Sequence, residues 1–297
     1  MTDNSAPDNS LPWPHALLAV AVMVVWGTNF VIIKVALQQL PPLLFAALRF
    51  TFAVLPAIIF LKRPDVPWRH LAAYGLLIGV GQFGVLYVAL NGHISPGLTA
   101  VVVQSQVLFT IMLSVWIDRE RVRAFQLVAL GLAVAGIGVI AWQSAGGAGT
   151  GTTPLGLGMV LFAGLSWAGA NLVARRSGRI NMLAYVVWAS LFAVPPLFLL
   201  SFALEGWPAM EQGLRAADAS AWAAVLWQSF GNSLFGYVAW GWLLARHPAA
   251  TVSPMALLVP IIGLATAVVA LGEALPLWKV TAAALVVAGL ALNQLWP

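Results

Sequence analysis

Apolar residues run almost unrelieved along this chain, in ten stretches near 16–38, 42–61, 71–91, 95–117, 124–142, 155–174, 180–204, 221–244, 249–271 and 276–296. Polar and charged residues collect in the short gaps between them. A helix of about 20 residues crosses the roughly 30 Å of bilayer hydrocarbon, and a helix satisfies its own backbone polar groups there. The pattern therefore predicts an all-α integral membrane protein of ten transmembrane helices. The few polar interruptions become the informative positions, as in VVWGTNFVIIK, where Gly27, Thr28 and Asn29 stand in the middle of an apolar run.

Composition agrees with that class. The chain is 61% hydrophobic and 8% charged, whereas soluble domains carry about 25% charged residues. The net charge of +5 raises the question of nucleic acid, and position answers it. Lys62, Arg63, Arg69, Arg119, Arg121, Arg123, Arg175, Arg176, Arg179 and Arg246 all fall in loops that follow even-numbered spans. By the positive-inside rule those loops and both termini are cytoplasmic. The basic balance thus points to a lipid bilayer as partner and to no nucleic acid. Residues 1–15 hold Asp3 and Asp8 but no Lys or Arg, so a short cytoplasmic tail is expected rather than a cleaved signal.

A Gly/Thr-rich stretch at 146–153 reads as a linker between two halves, 16–145 and 154–297. The halves match. Trp26 precedes Lys34 as Trp167 precedes Arg175; Pro56 corresponds to Pro196; Glu120 leads to Ala135 and Gly136 as Glu273 leads to Ala288 and Gly289. Five spans per copy is an odd number, so the second copy enters the membrane from the opposite side. Two inverted five-helix repeats are an architecture of secondary transporters.

The run Trp26, Gly27, Thr28, Asn29, Phe30, then Lys34, Pro41, Pro42, Arg49 and Phe50, resembles the opening of the first EamA repeat of the drug/metabolite transporter superfamily. Arg119, Glu120, Gln126, Gly131 and Gly136, and later Gly272, Glu273 and Gly289, resemble the two repeat endings. The resemblance covers residues 16–296. It implies a monomeric transport unit that moves small metabolites, often amino acids, out of bacterial cells through the inner membrane. The tryptophans and midspan amides look most like aromatic amino-acid exporters.

Buried amides without partners are costly in hydrocarbon, so midspan amides mark a protein interior or a wet path. Asn29 shares a face with Trp26. Gln82 sits midway along span three. Thr99, Val103, Gln106, Thr110 and Ser114 form a stripe at helical spacing in span four, and Gln104 points away from Gln106. Ser229, Asn232, Ser233, Gly236 and Trp240 form another in span eight, with Tyr237 beside it. The expected substrate site is Trp26, Asn29, Gln82, Gln106, Trp167, Asn232 and Tyr237, lined by spans one, three, four, six, eight and nine. Amides bridging helices, and tryptophans facing lipid, are the plainer alternative at each position.

Arg49 is the one cation well inside a span. A structural pair with Glu273 at the same outer level is expected, Lys34 sharing in it or snorkelling outward; contact with a substrate carboxylate is the alternative. No acid falls near a midplane, so transport down the substrate's own gradient is expected, since ion-coupled carriers usually hold a carboxylate there. Pro56 and Pro196 are candidate hinges. Gly131 with Ala135, and Ala284 with Ala288, read as close helix contacts. Four scattered His and no Cys give no catalytic or metal cluster, and no enzyme activity or cofactor is expected. The reading is an alternating-access exporter or facilitator of neutral or zwitterionic metabolites. Efflux of drugs or nucleosides, or a membrane scaffold, are the alternatives.

Overall fold

The computed structural model describes residues 11–119, 123–146, 151–178 and 180–295. Glu120, Arg121 and Arg179, half of the linker and most of the N-terminal tail lie outside them.

Among the described residues nine helices are long and apolar enough to cross a membrane. They are α1 (Trp13–Ala36), α2 (Pro42–Phe60), α3 (Trp68–Leu90), α4 (Pro96–Ile117), α5 (Ala124–Ala145), α6 (Pro154–Arg176), α7 (Met182–Glu205), α10 (Ser253–Leu271) and α11 (Leu277–Leu295). Between α7 and α10 lie a short helix α8 (Trp207–Ala216) and a continuous helical segment α9 (219–246). Gln228, Ser229, Asn232 and Ser233 in its middle make α9 less apolar than the other nine.

Helix starts follow local chemistry. Proline occupies the first turn of α2, α4 and α6, where its missing N–H costs nothing. Thr153, Asn181 and Asp218 accept backbone N–H bonds at the starts of α6, α7 and α9. The end of the linker is docked: Ile94 bridges Thr152, and Thr153 N–H donates to the His93 carbonyl at 2.8 Å.

Several helices are broken inside the spans. Leu55 and Pro56 separate the two parts of α2. In α7 the break falls at 191–193, and Pro196 lies within the first turns of the resumed helix Val194–Leu200. A turn at Val103 and Gln104 divides α4, shifting the phase of its second part, so the expected stripe from Thr99 to Ser114 is not continuous. The Thr99 and Thr110 hydroxyls donate to carbonyls of their own helix, Ser95 and Gln106. Two wide π-helical stretches, each nine residues long and each starting after eight α-helical residues, occupy Leu76–Gly84 in α3 and Trp227–Phe235 in α9.

The helices pair as α1 with α10, α4 with α6, α4 with α10, α3 with α6, α1 with α9, α2 with α7, and α5 with α11. The α5–α11 seam is set by small residues one face away from those expected. A Cβ at Gly136 would stand 2.7 Å from the Ala282 carbonyl, and one at Gly289 2.6 Å from that of Ala129. Gly131, Ala135, Ala284 and Ala288 are exposed instead. Small residues are so frequent in both helices that their spacing alone does not select the buried face.

Candidate functional site

Arg49 projects from α2 into the interior and is 1% exposed. Its Nη1 donates to the Tyr87 hydroxyl at 3.0 Å and its Nη2 to the Ser233 hydroxyl at 3.2 Å. The Tyr87 hydroxyl in turn donates to Gln228 Oε1 at 3.3 Å. The guanidinium lies 3.6 Å from the Phe83 ring centroid, and Phe45 stacks on Tyr87. Ser229 donates to the Arg49 carbonyl. Elements α2, α3 and α9 therefore meet around one cation, and the π-helical stretches supply Phe83, Gln228 and Ser233.

The local backbone explains the meeting. Ser233 Oγ donates to the Gln228 carbonyl five residues back, an offset that a π-helical turn brings into register. An α-helical reading of α9 puts Gln228 and Ser233 on different faces, so Gln228 was not among the expected site residues, and neither was Tyr87 on α3. Burial of a lone guanidinium costs several kcal/mol even after relaxation. The Phe83 face offsets about 2 kcal/mol, and the two hydroxyls add charge-assisted bonds. Among the described residues no carboxylate is its partner. Arg49 Nε and Gln228 Nε2 remain buried with no hydrogen-bond partner among the described residues.

The expected pair of Arg49 with Glu273 does not form. Glu273 lies beyond α10, where Gly272 turns the chain at φ 63°, and its carboxylate serves the start of α4 instead. It accepts from Ser95 Oγ at 2.5 Å and Gly97 N–H at 3.0 Å, and pairs with Lys279 at 2.8 Å. Lys34 donates to the Leu90 carbonyl at the end of α3 and takes no part. A second carboxylate behaves alike: Glu205 accepts from the N–H groups of Leu43 and Leu44 at the start of α2. Both acids sit on the positive ends of helices from the other half of the chain, where an anion is favoured.

Three expected residues converge. Trp26 Nε1 donates to the Asn232 carbonyl at 3.1 Å, and the Trp26 ring lies 6.2 Å from Tyr237 and 5.6 Å from Trp240. Asn29, one turn further along α1, is 5% exposed, and Gln82 in the α3 π-helical stretch is 4% exposed. Asn29 Oδ1 and Gln82 Oε1 have no hydrogen-bond partner among the described residues. The other two lie apart. Gln106 is half-buried and accepts from Asn171 Nδ2 at 3.2 Å between α4 and α6. Trp167 packs against the main apolar core. Near the ends of α6 and α9 and the start of α7 an open hollow of about 930 Å³ is lined by Ala174, Gly178, Ile180, Met182, Leu244 and Ala245. Among the described residues no three His, Cys, Asp or Glu side chains form a metal-binding group.

Comparison with known proteins places these features. The model of the EamA-like transporter family matches residues 13–142 and again 154–294. The chain is 39% identical over 280 residues to a Salmonella typhimurium protein named "Probable amino-acid metabolite efflux pump", covering 93% of each chain. An Escherichia coli protein of the same name is 38% identical, again over 93% of each. A "Probable terminal-alkyne amino-acid exporter" of Streptantibioticus cattleyicolor is 27% identical over 92% of this chain and 91% of its own. A protein of known crystal structure shares the fold, with a TM-score of 0.62 over 96% of this chain and 98% of its own at 21% identity.

Proposed function

The chain belongs to the EamA-like transporter family, and from that premise we propose that this multi-pass membrane transporter is an alternating-access exporter of small zwitterionic metabolites, amino acids first among them. The observation that carries the reading is the set of buried amide atoms left without a partner among the described residues, Asn29 Oδ1 one turn from Trp26, Gln82 Oε1 next to Phe83 in the chain, and Nε2 of the Gln228 that Tyr87 holds. Polar atoms left unpaired in a dry interior are costly, and a ligand bearing an ammonium, a carboxylate and an apolar side chain satisfies them. The names of the two relatives near 40% identity favour the same substrate class.

In this reading α9 is the tenth span and the two halves are inverted repeats. The helix pairings support it, because exchanging the halves turns the α1–α10 pair into α6–α4 and leaves α5–α11 and α2–α7 as they are. The matching lengths and positions of the π-helical stretches in α3 and α9 support it too, as do the two successive family matches. Both termini are cytoplasmic, and the hollow beside α6, α7 and α9 is the cytoplasmic mouth of an inward-facing state. Ile33, Leu40, Leu44, Leu90 and Leu98 close the other end as packed core. The breaks near Pro56 and Pro196 are the hinges, one chain is the transport unit, and with no carboxylate in the cluster the substrate moves down its own gradient.

Purified protein in sealed liposomes tests this. Radiolabelled neutral amino acids should cross faster than in empty vesicles and saturate with concentration. Flux equal to that of empty vesicles for every amino acid refutes the reading. Concentrative uptake driven by an imposed pH gradient refutes uncoupled transport alone.

A further inference from the structure

Resting on that transport reading, we infer that Arg49 receives the carboxylate of the transported amino acid and so sets the requirement for an acid group. Arg49 is fully buried, and its hydrogen-bond and ring partners among the described residues are the neutral hydroxyls of Tyr87 and Ser233 and the ring faces of Phe83 and Phe50. The described acids are engaged or placed elsewhere. Glu205 and Glu273 hold helix starts, Glu211 pairs with Arg215, Asp218 caps α9, and Asp65 is exposed in the loop after α2. A cation this deep in a membrane protein ordinarily has an anion beside it. Here the anion is the substrate's.

The unpaired atoms fit such a ligand. Arg49 Nε and Gln228 Nε2 are orphan donors joined through the Tyr87 hydroxyl, and they suit a carboxylate. Asn29 Oδ1 and Gln82 Oε1 are orphan acceptors and suit an ammonium. A guanidinium is the group whose planar fork matches a carboxylate edge, and its Nε edge is unused. The site is also one-sided. Seven residues before Pro56 stands Arg49, and seven before Pro196 stands Ala189. The repeat thus supplies one anion anchor rather than two, as one carboxylate per substrate requires.

The test compares each neutral L-amino acid that the wild-type protein carries in liposomes with its own amide, which keeps the side chain and amine but lacks the anion. L-phenylalanine against L-phenylalaninamide, and L-leucine against L-leucinamide, serve as probes. The wild type should favour the acid by roughly tenfold or more. Arg49→Gln, which keeps hydrogen-bonding groups without the charge or the fork, should bring that ratio close to one by losing acid flux. Arg49→Lys should fall between. Unchanged discrimination in both variants, or a wild type that carries acid and amide equally, overturns the inference and leaves the transport reading standing. If Arg49→Gln fails to fold, the wild-type acid/amide ratio and Arg49→Lys decide. Absence of all amino-acid flux overturns the inference together with the transport reading.

Discussion

The Glu273–Lys279 pair should respond asymmetrically to removal of either member. Both side chains are nearly buried, at 9% and 4% exposure. What each keeps when the other is gone decides the cost. In Lys279→Met the carboxylate still accepts from Ser95 Oγ and Gly97 N–H and still faces the positive end of α4. The loss is one charge-assisted bond, about 1.5–3 kcal/mol. In Glu273→Gln the ammonium keeps neutral partners, the Ala274 carbonyl and the Trp278 ring, but stays buried without a counter-charge, which costs about 3–5 kcal/mol. For a chain of this size each kcal/mol moves Tm by about 2 °C. Melting in detergent, followed by intrinsic tryptophan fluorescence, should therefore fall by about 6–10 °C for Glu273→Gln and about 3–6 °C for Lys279→Met. The double variant should melt above Glu273→Gln alone, because it removes the stranded cation. Equal losses, or the reverse order, would refute the reasoning.

Gln82→Leu should leave Tm unchanged or raise it, since it removes an unpaired buried amide, while amino-acid flux in liposomes falls; a large loss of stability would show that the amide has a structural partner. Gly136→Val should cost about 1–3 kcal/mol through overpacking against Ala282, and Gly131→Ala, which meets nothing within 4 Å, should change melting little. Trp26→Phe should cost about 1 kcal/mol by leaving the Asn232 carbonyl without its donor, read as a Tm drop of about 2 °C. Asp218 is held low, to about 2, first by the Ser220 hydroxyl and then by the Ala221 N–H. A depressed carboxylate contributes stability that is present above its unfolded value near 3.9 and lost as pH falls through 2. Asp218→Ala should thus lower Tm by the same small amount at pH 5 and pH 8.

The nine helices that among the described residues are long and apolar enough to cross a membrane were legible in the sequence because a bilayer demands apolar length and little else. Their interruptions were not. Nothing in Leu76–Gly84 or Trp227–Phe235 announces a π-helical backbone, and an α-helical period therefore groups Asn232 with Ser229 but separates Gln228 from Ser233. The Arg49–Glu273 expectation treated depth as the deciding variable. It missed that Glu273 follows a left-handed glycine and is aimed at Ser95 and Gly97 at the start of α4, while Arg49 points inward to Tyr87. Trp26, Asn232 and Tyr237 come together because α1 meets α9 along a face whose aromatic spacing survives the wide turn. Gln106 and Trp167 lie on helices whose pairing faces, α4 with α6, no single-helix pattern reveals.

The α5–α11 seam joins the last helix of one half to the last helix of the chain. A ribosome delivers Ala124–Ala145 to the membrane long before Leu277–Leu295 exists. During that interval the groove at Gly136 and Ala133 faces lipid or a chaperone, and Gly289 must find it late. Closing this seam therefore waits on residues made much later, and Gly136 and Gly289 meet their neighbours only once both helices are in place.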